Sequence, residues 1–100
     1  MKIDAPLLGA NLASTVALAR SQEAAGFDGL FTFDGPSGPF ASLALAAEHT
    51  RCDIATGVAI AFARNPMTVA QTAHDLATFS GGRFTLGLGP VPLAALEREV

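Results

Sequence analysis

The chain has 100 residues, half of them apolar and 15% charged, with a net charge of −3. A chain of that length buries roughly 60–70% of the surface its unfolded form exposes, enough for one compact domain and too little for two. The composition excludes a disordered tail, and the scattered lysines and arginines form no basic stripe for a nucleic-acid backbone.

Cysteine occurs once, at Cys52, so no internal disulfide forms. The N-terminus lacks the basic-then-apolar layout of a secretory signal, and every apolar run is interrupted well short of the roughly 20 residues a spanning helix needs. The expectation is a cytoplasmic protein with neither nucleic acid nor membrane as partner.

Short apolar runs alternate with alanine-rich segments whose apolar residues recur three and four apart, which is the βαβα signature of an α/β fold. Residues 2–8 read as a strand ending near Gly9. Asn11 then stands where a helix N-cap belongs, with Leu12, Val16 and Ala19 on one helical face. Gly26 suits the left-handed position that closes such a helix. A second strand is predicted over 28–33. The turn from Asp34 to Pro39 leads into a helix with Phe40, Leu43, Ala44 and Ala47 in register.

A third strand, residues 53–60, is a near-continuous apolar run of the kind found when both faces of a parallel sheet are covered, so it should lie centrally. Asn65-Pro66 marks the next helix start, because proline at the first helical position gives up a hydrogen bond the helix does not make. Val69, Ala70, Ala73, Leu76 and Ala77 form its predicted buried face. Gly81-Gly82 stops it, a fourth strand follows over 83–88, and a last helix is predicted over 92–100.

Strand starts near 2, 28, 53 and 83 recur at intervals of roughly 25–30 residues, the size of one βα unit. Length alone would favour a small open doubly wound sheet, since a closed eight-stranded barrel needs about 250 residues. The motifs point elsewhere. Pro39-Phe-Ala-Ser-Leu-Ala-Leu-Ala-Ala-Glu-His-Thr50, Arg64-Asn-Pro-Met-Thr-Val-Ala-Gln-Thr-Ala-His-Asp-Leu76 and Ser80-Gly-Gly-Arg-Phe-Thr-Leu-Gly-Leu-Gly89 resemble, in this order and spacing, the luciferase-like superfamily. The resemblance covers about residues 1–90.

What it implies is a parallel α/β sheet made of the first four βα units of a (β/α)8 TIM-type barrel, a single partial domain over 1–100. The C-terminal half of the barrel, whose loops hold the cofactor phosphate in such folds, is not expected in this chain. The implied family activity is hydride transfer between the deazaflavin coenzyme F420 and a small organic substrate. An FMN-dependent monooxygenase of the same superfamily is the alternative. A half-barrel lacking chemistry is a third reading: two copies would pair as a homodimer to cover exposed sheet edges and an open apolar face.

Barrel active sites are built at the C-terminal ends of strands, so residues just after each predicted strand are the candidates. Asp34, after the second strand, is the catalytic candidate; the resemblance places a carboxylate there near the deazaflavin ring. The histidine that often follows it in the family is Gly35 here, so a general acid or base at that place is missing. The competing reading of Asp34 is a turn residue bonding the backbone of Gly35-Pro-Ser.

The resemblance also implies a bulge with a non-prolyl cis peptide at Thr56-Gly-Val-Ala59, which makes Gly57 and Val58 candidates for cofactor contact. Gly89, after the fourth strand, is the third such candidate. The alternatives are a buried strand whose glycine makes room for a neighbour and a structural glycine at a corner. Arg64 could meet an anionic tail but reads more simply as a solvated loop residue. His49 and His74 fall on outer helices and read as structural, Cys52 falls at the opposite end of the strands from the candidate site, and no metal cluster can be assembled from them.

Overall fold

The computed structural model describes residues 2–7, 11–34, 38–61 and 64–89. Strand β1 (Asp4–Pro6) leads to helix α1 (Leu12–Ala24), then β2 (Gly29–Thr32), α2 (Ala41–His49), β3 (Asp53–Thr56), β4 (Ala59–Ile60), α3 (Pro66–Phe79), β5 (Phe84–Thr85) and β6 (Leu88–Gly89). Four strands form a parallel sheet in the order β1-β2-β3-β5, and β4 pairs in parallel with β6. The alternation of parallel strands with helices is the α/β arrangement expected, with β3 between β2 and β5. The helix predicted over 92–100 lies outside the described residues.

The helices start where the sequence places them, and for the expected reason. The Asn11 carboxamide oxygen accepts from Ser14 N at 2.9 Å, and that of Asn65 accepts from Met67 N at 2.8 Å, each satisfying a donor the helix leaves open. Pro66 occupies the first turn of α3. Gly26 adopts φ +98° just after α1, a conformation costly for any residue with a Cβ.

Register settles which side chains meet the helices. Ala5, Leu30, Ile54 and Phe84 stand side by side across the sheet, and with Leu7 they pack against Ala19, Leu43, Ala46 and Ala47. Each fully buried leucine or isoleucine in that layer contributes about 1.5–3 kcal/mol. The next row, Pro6, Phe31, Ala55 and Thr85, points to the other face and is only half-buried or exposed. The apolar run of the third strand therefore has one covered face among the described residues, not two.

Three further expectations change. In α1 the buried residues are Thr15 and Ala19, while Leu12 is exposed; Thr15 can be buried because its hydroxyl donates to Asn11 O at 2.6 Å. In α3 only Val69 and Leu76 are buried, and Ala70 faces out. The strands predicted over 53–60 and 83–88 are each split in two, since the chain leaves the main ladder after Thr56 and after Thr85 and pairs again one step further on. Hydrophobic pattern alone cannot register such a break.

Candidate functional site

The C-terminal ends of β2, β3 and β5 converge on one rim, and the break in the third strand shapes it. The Gly57-Val58 peptide is cis, at the place where the family resemblance implies one. Around it the ladder is mended by a side chain. The Thr56 hydroxyl donates to Gly87 O and accepts from Gly87 N, both at 2.8 Å, and Ala59 N then donates to the same Gly87 carbonyl at 2.8 Å. A Cβ on Gly87 would lie 2.3 Å from Thr56 O, so no other residue fits.

Gly57 packs its backbone over the Phe31 ring, where a Cβ would come within 3.1 Å, and Phe31 meets Phe33 edge-on with centroids 5.6 Å apart. The bare backbone of Gly89 makes room for Val58, whose Cγ2 would lie 2.7 Å from a Cβ there. Gly57, Val58 and Gly89 thus do come together, joined by Phe31 and Phe33. Three large side chains of this region stay in the open: Phe33 is 50% exposed, Val58 42% and Leu88 51%. Phe33 and Val58 thus leave an apolar patch exposed beside the Gly57 and Gly89 backbone, whereas Leu88 pairs with Ala59 and points to the other side of its strand from Gly89 and Val58.

Asp34 borders that patch. Its Oδ2 accepts from Ile60 N at 2.9 Å and from Arg64 Nη1, and its Oδ1 accepts from Arg64 Nη2 at 2.8 Å. Such two-pronged pairs are strong and directional. The Arg64 hydrogen bonds hold the Asp34 carboxyl below the usual carboxylate range, burial opposes them, and the Ile60 N–H adds to the lowering. The guanidinium itself is pushed above its ordinary value by the same pair. Asp34 is therefore an anion at neutral pH, a hydrogen-bond acceptor and no proton donor.

Arg64 departs from expectation. It is no solvated loop residue: its side chain is 25% exposed, that of Asp34 is 9% exposed, and its Cζ sits 5.5 Å from the centre of the Phe40 ring. Its place in the rim could not be read from a loop position, although an arginine just before an Asn-Pro helix start was the available signal. Residues 35–37, to which the turn reading of Asp34 refers, lie outside the described residues, as does Gly9.

The other candidates stay away from the rim. His49 ends α2 beside Arg20, and His74 is exposed on α3. Cys52 is buried at the opposite end of the strands, and burial pushes its thiol up, which leaves it a poor nucleophile. No group of metal-ligating side chains is assembled among the described residues.

Residues 2–98 match the family of luciferase-like monooxygenases. The chain belongs to that family. The match reaches beyond the 1–90 range of the motif resemblance. The uncharacterised protein Rv1360 of Mycobacterium tuberculosis and its counterpart Mb1395 of Mycobacterium bovis are each 52% identical over 79 aligned positions, taking in 72% of this chain. The chain spans about a quarter of the length of these relatives, since the alignment covers 23% of each.

Among solved structures, the coenzyme F420 dependent tetrahydromethanopterin reductase of Methanopyrus kandleri superposes with a TM-score of 0.81 at 24% identity, covering 99% of this chain and 29% of that one. The monooxygenase RslO1 of Streptomyces bottropensis gives 0.80 at 23% identity, covering 99% and 36%. At such identities the likeness concerns the fold alone: this chain shares the parallel α/β fold of part of these TIM-barrel luciferase-like proteins.

Proposed function

We propose that the rim patch of this luciferase-like chain receives one face of the ring of F420, in an oxidoreductase that moves a hydride between that deazaflavin and a small organic substrate. FMN is the alternative cofactor. The observation that carries the reading is the exposed apolar surface of Phe33 and Val58 set beside the glycine backbone of Gly57 and Gly89 at the C-terminal ends of the strands, where barrels of this type build their sites. A flat tricyclic ring fits such a surface; a charged or bulky group does not. When bound, the deazaflavin supplies the hydride chemistry.

The residues of this chain do the rest of what falls to them here. Val58 and the Gly57 backbone offer the supporting face, Phe33 borders it, Gly89 leaves Val58 its room, and Asp34 presents a fixed anion at the edge. With no proton to give, Asp34 orients; a proton donor for the reaction comes from the substrate side or from another part of the barrel. A cytoplasmic location and a barrel completed by further residues accompany this reading.

The test is a titration of the purified chain with F420 and, in parallel, FMN, following cofactor fluorescence while light scattering reports the mass. There is no tryptophan or tyrosine, so near-ultraviolet protein emission does not feed or overlap the cofactor signal. Saturable micromolar binding of F420, weakened at least about tenfold by Val58→Glu without loss of fold, is the expected result. A folded chain that binds neither cofactor at roughly 100 µM, which corresponds to about −5.5 kcal/mol, overturns the reading. Two copies covering each other's open face without chemistry, which the same exposed residues favour, would then show as a defined dimer.

A further inference from the structure

The Arg64 guanidinium lies between two loops. The turn from β2 to α2 brings Asp34, Gly38 and Phe40 against it, and the connection from β4 to α3 brings Arg64 itself, one residue before the Asn65 cap. A cation there sits by the N-terminal ends of α2 and α3, where the helix dipoles favour negative charge. Asp34 supplies the compensating anion, and Arg64 is the charged group that faces it among the described residues.

As a source of stability the arrangement is poor. Apolar residues of similar volume commonly replace a half-buried ion pair at no loss. What a bidentate pair adds is fixed geometry, and here the geometry is passed on. Asp34 Oδ2 holds the Ile60 amide, Ile60 pairs with Gly89, Ala61 N donates to Gly89 O at 2.8 Å, and Gly89 backs onto Val58.

We propose that Arg64 is a positioning residue: by gripping Asp34 it sets the register of β4 against β6 and hence the stance of Val58 on the rim patch. The part of this proposal that concerns ligand affinity rests on the proposed function; the part that concerns register does not. A merely stabilising arginine would, when removed, loosen the whole sheet. A positioning arginine loosens β4 more than β3, beyond whatever global stability is lost.

Amide hydrogen exchange on the whole chain separates these outcomes, with the wild type compared against Arg64→Ala, Arg64→Lys and Asp34→Asn. The expected result in Arg64→Ala and Asp34→Asn is exchange at Ile60 and Ala61 accelerated about tenfold or more beyond any rise at the Ile54 amide, bonded to Arg83 O, which reports the global loss alone. Arg64→Lys, a single-point donor, should fall between. F420 affinity should drop about tenfold in parallel.

Unaltered exchange at Ile60, or an equal rise at Ile54, overturns the proposal. If the wild type binds neither F420 nor FMN, the ring reading fails while the exchange pattern still decides the role of Arg64. Should Arg64→Ala not fold, the near-isosteric Asp34→Asn and the Arg64→Lys chain carry the same comparison.

Discussion

At the N-terminal end of the strands, polar side chains close the structure by meeting backbone groups that the helices leave open. At the C-terminal end, glycines and one ion pair hold a surface open. Arg83 shows the first plan. Its guanidinium donates to Ala47 O at 3.0 Å, Thr50 O at 3.2 Å, Cys52 O at 2.6 Å and Ser80 O at 2.7 Å, so one side chain satisfies the carbonyls at the ends of both α2 and α3. Asp28 likewise accepts from a backbone group, Ile3 N just before β1, at 3.0 Å. Arg64 shows the second plan, because its partners belong to loops and its effect falls on an exposed patch. Two arginines in one small sheet thus serve different ends, and the difference lies in what their hydrogen bonds reach.

Substitutions at the two ends should separate these roles. The largest effect is expected from Arg83→Ala, which strands carbonyls at two helix ends and should cost about 3 kcal/mol in urea unfolding, with no change in exchange at Ile60 beyond the global loss. A cost under about 1 kcal/mol would break the comparison. Gly87→Ala follows at about 2–3 kcal/mol, because its Cβ would meet the Thr56 carbonyl and that backbone cannot withdraw without opening the mended ladder. Unlike Arg83→Ala, it should also abolish cofactor binding in the titration.

Asp34→Asn should cost about 1.5–3 kcal/mol at neutral pH, the range for hydrogen bonds to a charged group. Its pH dependence sharpens the point. The folded carboxyl titrates below its unfolded value of about 3.9, so its contribution is fully present above that value and is lost as pH falls through the folded one. Wild type and Asp34→Asn should therefore differ by a constant amount above about pH 5 and converge in acid; a gap that persists unchanged to pH 2 would remove the carboxylate from the account. The smallest effect belongs to Lys2, whose 2.7 Å bond to Asp53 is made in the open at the N-terminal end. Lys2→Met should leave the unfolding midpoint where it is, as exposed pairs commonly do.

Much of the scaffold was legible because it rests on local rules. Asn11 and Asn65 cap their helices through their own side chains, Pro66 fits a first turn, and Gly26 tolerates a backbone other residues resist, so each boundary is written within a few residues of itself. The strand interiors were less legible. A near-continuous apolar run reads the same whether residues 53–60 run straight or break after Thr56, because it carries no alternation to mark a face. Asp34 could be picked out by its place after a strand, yet its ionisation state depends on a guanidinium 30 positions away.

By itself, then, the sequence determined the α/β alternation, the helix starts and stops marked by caps, proline and glycine, and through its motifs the luciferase-like family. Only the tertiary structure decided that Arg64 is drawn into the rim, that Arg83 closes two helices, that Thr56 mends the ladder at Gly87, and that one sheet face stays uncovered among the described residues. The reason is physical. Caps, turns and periodicity are set by neighbours in the chain, whereas a charge pair, a close backbone approach and an exposed face are fixed by which distant segments the packed sheet brings together.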